Sequence, residues 1–299
     1  MKVRALTIKD FKQIQKLLRL DSDAEQHVME WIGFSWANPR FDWHIWHDPD
    51  IEPESIWGGF DQNKLVGFCV GVRRPWKKGR EHTGFIKCIY VTPSHRRKGV
   101  ATQLWRHLRT AFETKGVVEW EYGSAAPWYF FSGVPKEDIA TRSFLKRLGW
   151  NELGERINLT VSLPVLKKYV NKIEPVPMCV VDQKEIEAFV STTFSSSWAS
   201  ELKPVFEEGP AFGHIIRRSG KIVGFVAVHA TNPQWLGPMG IDPALRGSGL
   251  GRTLLLSALQ DAHKRGSTAL LIPWVNEGFY QHCLGDLNRQ VFFKYTFSK

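Results

Sequence analysis

A mixed α/β fold built twice in tandem is what this sequence predicts, and three observations predict it. A strand end, a turn, a glycine-bearing basic loop and a helical pattern follow one another at residues 91–101 and again at residues 241–251. The two loops place Arg96 and Arg246 150 positions apart in a chain of 299. Upstream, Lys64-Leu65-Val66-Gly67-Phe68 matches Lys221-Ile222-Val223-Gly224-Phe225, each after a turn, and both read as hairpin strands. Downstream, the helical run ending in Gly149 is echoed by the run ending in Gly285. Self-similarity of this kind marks repeated domains.

Taken in order, residues 3–7 read as a first strand. Asp10 is placed to cap a helix that turns Phe11, Ile14, Leu17 and Leu18 inward. The apolar run 86–91 ends at Pro93, and Val100, Leu104 and Leu108 then recur every four residues, as a helix requires. A strand over 117–122 would put Glu119 and Glu121 on one face. Residues 125–135 are aromatic with Gly and Pro, which suits a loop that shapes a pocket. The second half repeats the order: residues 179–181 as a strand, Asp182 as cap, then Ile186, Phe189 and Val190 on a helix. Residues 235–241 form the strand before the loop, and Leu250, Leu254, Ala258 and Ala262 the helix after it. Ser162-Leu163-Pro164 closes the first half, and Pro175 and Pro177 interrupt helix and sheet alike. The expected division is a domain over 1–165, a linker over 166–177 and a domain over 178–299.

Forty Lys and Arg against thirty Asp and Glu leave a net charge of +10, which points to an anionic ligand or partner. The densest basic stretch, Arg73-Arg74-Pro75-Trp76-Lys77-Lys78-Gly79-Arg80, reads as a solvated hairpin loop, a lip over phosphates, or a contact for an acidic or nucleic-acid surface. No long apolar run suggests a membrane span, and the first residues lead straight into a strand without a signal-peptide core. The four cysteines form no paired motif and read as buried free thiols of a cytoplasmic protein. His44, His47 and Asp48 resemble a ligand cluster, but without a companion Cys or second His pair no metal is expected.

Each loop has the form Arg-x-x-Gly-x-small, with Gly99 and Gly249 free to adopt backbone geometry that a side chain blocks. A glycine loop opening a helix aims main-chain N–H groups at an anion. On these residues the chain resembles the GNAT acyltransferase superfamily, whose signature is Arg/Gln-x-x-Gly-x-Gly/Ala, and the resemblance covers both halves. It implies two domains, each a bent mixed central sheet flanked by helices, and acetyl-CoA as co-substrate. It further implies that the loop amides of Arg96, Arg97, Lys98, Gly99, Val100, Ala101 and Thr102, and of Arg246, Gly247, Ser248, Gly249, Leu250, Gly251 and Arg252, hold the CoA diphosphate. The pantetheine arm would lie along Ile89, Tyr90 and Val91, and along Met239, Gly240 and Ile241.

Acetyl transfer needs a neutral amine, donors for the oxyanion and a proton for the departing thiolate. In the family a tyrosine on the last helix gives that proton, and an asparagine one turn earlier contacts CoA. The second half carries Tyr280 and Asn276 at that spacing, whereas the first has Phe144 or Leu145 where the tyrosine would fall, so catalysis is expected in the second half. No general base is evident; Asp286 and His282 are candidates. The resemblance is best to bacterial two-domain proteins that acetylate glucosamine or glucosaminides, with Tyr129, Phe130 and Phe131 as substrate contacts. Acetylation of a peptide, an antibiotic or a thiol-precursor amine is the competing substrate reading. A CoA-binding regulator without activity, or a basic nucleic-acid-associated protein, is the alternative of another class. A small-molecule amine is the expected partner, not a membrane or nucleic acid, for a monomer with an internal pseudo-dimer or a homodimer.

Overall fold

A computed structural model describes residues 1–19, 21–32, 39–77, 79–165 and 173–298. The strands are β1 (Lys2–Ala5), β2 (Ile56–Asp61), β3 (Lys64–Arg73), β4 (Thr83–Val91), β5 (Glu119–Tyr122), β6 (Val134–Pro135), β7 (Asn151–Ser162), β8 (Val176–Pro177), β9 (Phe212–Arg218), β10 (Lys221–Val228), β11 (Leu236–Ile241), β12 (Ala269–Ile272) and β13 (Asn288–Ser298). The helices are α1 (Phe11–Arg19), α2 (Ser22–Ile32), α3 (Pro39–Asp42), α4 (Val100–Glu113), α5 (Ile139–Arg147), α6 (Gln183–Thr193), α7 (Ser196–Glu201), α8 (Leu250–Lys264) and α9 (Glu277–Leu284). The chain forms two compact units. Unit 1 is Met1–Arg156 with Val291–Lys299, and unit 2 is Ile157–Gln290. The last strand of the chain therefore completes unit 1, and the second part of β7 completes unit 2. Of the expected linker 166–177, residues 166–172 lie outside the described residues.

Unit 1 is a mixed sheet. β1 to β4 are antiparallel neighbours, and β4 then pairs in parallel with β5 from Thr83↔Glu119 to Ile86↔Tyr122. β13 runs antiparallel to β5, with Tyr295 opposite Tyr122. The helix stripe read from the sequence is the one buried: Val100, Leu104 and Leu108 of α4 pack with Trp105, Phe112 and Trp120. Gly71 and Gly84 let Leu108 and the Trp120 ring close on the sheet, since a Cβ at either would lie 2.6 or 2.7 Å from them.

Unit 2 repeats the plan. β8 to β11 form an antiparallel sheet, and β12 pairs with β7 from Ala269↔Ser162 to Ile272↔Leu159. α8 buries Leu250, Leu254, Ala258 and Ala262, as its period predicts.

The start of each half needs correction. Residues 179–181 are not a strand; the strand is Val176–Pro177, pairing with Ile215 and His214 at the sheet edge, where proline's missing N–H is tolerated. Cys179 is exposed, unlike the three other cysteines, because it lies in the turn that follows. Asp10 and Asp182 are not the first caps. Each sits at the third position of a short 3-10 turn and reaches back to accept the N–H of Thr7 (3.0 Å) or Cys179 (2.9 Å). Glu119 is exposed, but Glu121 is buried and bound by Arg80 and Lys294.

Phe292 and Tyr295 of β13 are fully buried. Burial of each such ring is worth about 1.5–3 kcal/mol, and a whole domain is stable by only about 5–15 kcal/mol. Removing residues 291–299 is therefore expected to abolish amide protection in β5 while β9 and β10 stay protected, as read by hydrogen exchange.

Candidate active site

The two basic loops have the same backbone course. After a proline-led turn, Gly99 (φ 80°) and Gly249 (φ 83°) take the left-handed conformation, and α4 and α8 start at the next residue. Two positions earlier the left-handed residue is Arg97 (φ 63°) in unit 1 and Gly247 (φ 80°) in unit 2. The N–H groups of Arg97, Lys98, Gly99, Val100, Ala101 and Thr102 have no main-chain acceptor among the described residues, nor do those of Gly247, Gly249, Leu250, Gly251 and Arg252. Each set opens a helix of at least 14 residues, whose N-terminal partial charge favours an anion. Ser248 instead directs its N–H (3.4 Å) and hydroxyl (2.5 Å) to the Leu245 carbonyl. Arg96 is tethered, with Nε on the Val91 carbonyl (2.9 Å) and its guanidinium on Asp21 (2.9 Å), which also accepts the Tyr90 hydroxyl (2.7 Å). Arg246 is exposed and makes no ion pair among the described residues. Gly251 is needed for close packing, since a Cβ there would lie 3.3 Å from the Phe279 ring.

Before each loop two parallel strands part. β4 leaves β5 after Ile86, so Ile89, Tyr90 and Val91 pair only with β3. In unit 2 a single parallel bridge, Trp235↔Leu271, precedes the parting, and Met239, Gly240 and Ile241 pair only with β10. The wider opening has a local cause. Gly123 donates its N–H to the Ile86 carbonyl (2.8 Å), whereas the residue 150 positions on is Pro273, which has no N–H to give.

The side chains at the divergence differ sharply. Unit 1 fills it. Tyr122 is buried there, and burial raises its phenol well above the ordinary value. The first diverging residue, Lys87, is fully buried, with Nζ 2.6 Å from Asp48 and 2.5 Å from the His44 carbonyl. Asp48 also accepts two bonds of 2.6 Å from Arg74, itself on Asp50 (2.5 Å) and the Ala125 carbonyl (2.9 Å). Burial pulls Lys87 down to about 8 against the opposing pull of Asp48. Burial pushes Asp48 up, but Lys87 and Arg74 outweigh it and hold the carboxyl well below its ordinary range. Unit 2 leaves the same place empty of side chains. Gly237 stands 150 positions after Lys87, at φ 134°, and a Cβ built on it meets nothing within 4 Å. Tyr122 is matched by Ile272, which has no hydroxyl. Sequence reading missed Lys87, Tyr122 and Gly237, although aligning the halves at the loop offset sets Lys against Gly and Tyr against Ile.

Tyr280 lies on α9, half-buried against the core that contains Leu250 and Leu254, with the Phe279 ring 5.0 Å away. Burial, with Cys283 adding to it, pushes the phenol above its usual value, so it carries its proton at neutral pH. Asn276 is exposed and stands just before α9 as its N-cap residue, not within the helix. His282 and Asp286 are exposed, and Glu277 is paired with Arg289 (2.8 Å).

Tyr129, Phe130 and Phe131 are buried in unit 1, with the Phe130 ring 4.8 Å from Phe41 and 4.9 Å from His44. The basic stretch is largely neutralised from within: Arg73 pairs with Glu52 (2.8 Å), Arg74 is wholly buried, and Arg80 pairs with Glu121. Lys78 lies outside the described residues. Asp48 is held by two cations, and no cluster of metal-binding side chains occurs among the described residues. Among the described residues no helix is long and apolar enough to cross a membrane.

Breaking a buried ion pair from one side leaves an uncompensated charge, a loss of about 3–5 kcal/mol. Asp48→Asn is accordingly expected to destabilise unit 1 by that order in denaturant unfolding. The native carboxyl titrates below its unfolded counterpart, so its stabilisation is complete above about pH 4 and fades as pH falls further. The wild-type advantage over Asp48→Asn should shrink in strong acid.

Comparison with known proteins places these features. A mycothiol acetyltransferase of Thermobifida fusca (strain YX) is 27% identical over 210 residues, 62% of this chain. The chain spans 64% of the length of that relative. Among solved structures, a glucosamine N-acetyltransferase region of a fungal multi-domain GH3 β-N-acetylglucosaminidase superposes with a TM-score of 0.76 at 18% identity, over 99% of this chain and 38% of that one. A tandem GNAT protein from the clavulanic acid biosynthesis pathway superposes with a TM-score of 0.74 at 14% identity, over 99% and 98% of the two chains. At such identities the two structures speak for the fold alone. The profile of the acetyltransferase (GNAT) family matches residues 24–126 and again 183–285, and the chain belongs to that family.

Proposed function

We propose that unit 2 moves an acetyl group from acetyl-CoA to the primary amine of a small molecule, an amino sugar such as glucosamine. The observation that carries this reading is the contrast at the divergence: Gly237 leaves room where Lys87 and Tyr122 fill unit 1, and Tyr280 stands on the helix beyond. In this reading the amides of Gly247, Gly249, Leu250, Gly251 and Arg252 take the diphosphate, and the open edge at Met239, Gly240 and Ile241 takes the pantetheine arm, with Asn276 beside it. Arg246 supplies positive charge at the mouth. The residues fit such a ligand because the donors are main-chain, unpaired and convergent at a helix start. Unit 1 keeps the loop and serves as the structural half of the 1–165 and 178–299 repeat.

The neutral amine attacks the thioester carbonyl, forming the N–C bond as the C–S bond breaks. The amine's surplus proton leaves to water, and the Tyr280 phenol donates its proton to the departing thiolate. The likeness to a mycothiol acetyltransferase supports a small-molecule acceptor.

Thiol release from acetyl-CoA with a panel of amino sugars, aminoglycosides, peptides and simple amines tests the reading. Glucosamine turnover is expected, and Tyr280→Phe should lower kcat by about 10²- to 10⁴-fold, the range of general-acid catalysis. Because the phenol titrates above 10, loss of its proton should cause no decline in kcat below pH 10. Full activity of Tyr280→Phe at all pH values would remove the proton donor; no thiol release with any amine would remove the enzyme.

A further inference from the structure

The turn between β12 and α9 holds a residue that neither the loop nor the proton donor accounts for. Trp274 has φ 52°, in the left-handed region, where a bulky aromatic is a conformational outlier. The same turn exists in unit 1, where the residue 150 positions earlier, Ser124, has φ 53°. The fold thus requires the left-handed turn in both units, but not the indole. In unit 1 the position carries a small, buried hydroxyl; in unit 2 it carries a large ring that is 37% exposed.

The turn is also firmly held. The Trp274 N–H donates to Oδ1 of Asn158 (3.2 Å), a buried residue of β7, and the Val275 N–H donates to the Ile157 carbonyl (2.9 Å). A strained conformation persists only where its surroundings over-determine it, and such residues cluster at ligand sites. The location fits. The parallel bridge Trp235↔Leu271 is followed two residues on by Gly237 and three residues on by Trp274, so both come after the last shared bridge, on the parting side of the strands. The pantetheine arm carries two amides and calls for hydrogen-bonding partners, which the free edge of β11 offers. A partly exposed indole offers instead a flat apolar surface.

We propose that Trp274 recognises the acceptor in unit 2, its indole covering the apolar face of a ring-borne amine such as an amino sugar, with Asn158 as the positioning residue that holds the turn. The assignment rests on the reading that unit 2 turns over.

The test uses the full chain with acetyl-CoA, taking glucosamine as the ring acceptor and n-propylamine as a ringless one. Trp274→Ser installs the residue that unit 1 uses in this turn, so the backbone should fold without added strain and Tm should hold or rise. Its KM for glucosamine should increase at least 10-fold while KM for acetyl-CoA stays within twofold. Its preference for glucosamine over n-propylamine, as a ratio of kcat/KM, should fall by a similar factor, and Trp274→Phe should restore part of it. Asn158→Ala should raise KM for glucosamine in the wild-type background and do little more in Trp274→Ser. An unchanged KM for glucosamine in Trp274→Ser, or a rise in KM for acetyl-CoA instead, would overturn the assignment while leaving catalysis by unit 2 intact. Wild-type turnover untouched by Tyr280→Phe would overturn the unit 2 reading itself, whatever Trp274 does.

Discussion

Two parallel strands that separate after their last shared hydrogen bonds leave main-chain donors and acceptors facing each other across a gap. Buried polar backbone without partners is costly, so something must fill the gap or enter it. Both units of this chain contain such a gap, immediately before a loop most of whose amides have no main-chain acceptor among the described residues. The loop and the helix that follows it present a cluster of amides without main-chain acceptors among the described residues, next to the strand edge that leads into them. The rest of each unit is arranged around that cluster.

The units meet the constraint in opposite ways. Unit 1 uses its own side chains: Tyr122 is buried there, and Lys87 is held by Asp48, which also binds Arg74. Burying two cations requires paired carboxylates, which Asp48 and Asp50 provide, and the network explains why a stretch that looks like a basic surface patch contains a wholly buried arginine. Unit 2 has Gly237, Pro238 and Pro273 at and around the parting, residues that remove side chains and hydrogen-bond donors together.

Much of this was legible in the sequence because it depends on local rules. The glycine loop, the four-residue apolar spacing of α4 and α8, and the paired hairpins follow from backbone conformation and helical period, and each appears where the pattern put it. The strand expected at 179–181 failed because two prolines read as linker also suit an edge strand, a distinction that depends on which neighbour lies alongside. Asp48, His44 and His47 resemble a ligand cluster in sequence, though no metal is expected there; only the approach of Lys87 and Arg74, 39 and 26 positions away, makes Asp48 the centre of an ion-pair network.

The amino-acid sequence by itself determined the doubling of the fold, the family resemblance, the two loops and the candidate proton donor. These are encoded in contiguous residues whose conformational preferences act over one turn or one strand. Tertiary structure alone decided which gap is filled by side chains, that residues 291–298 complete unit 1 and residues 157–162 unit 2, and that Trp274 takes a left-handed conformation past the parting of the strands. Those outcomes depend on strand pairing and charge burial between residues far apart in the chain, where no local preference reaches.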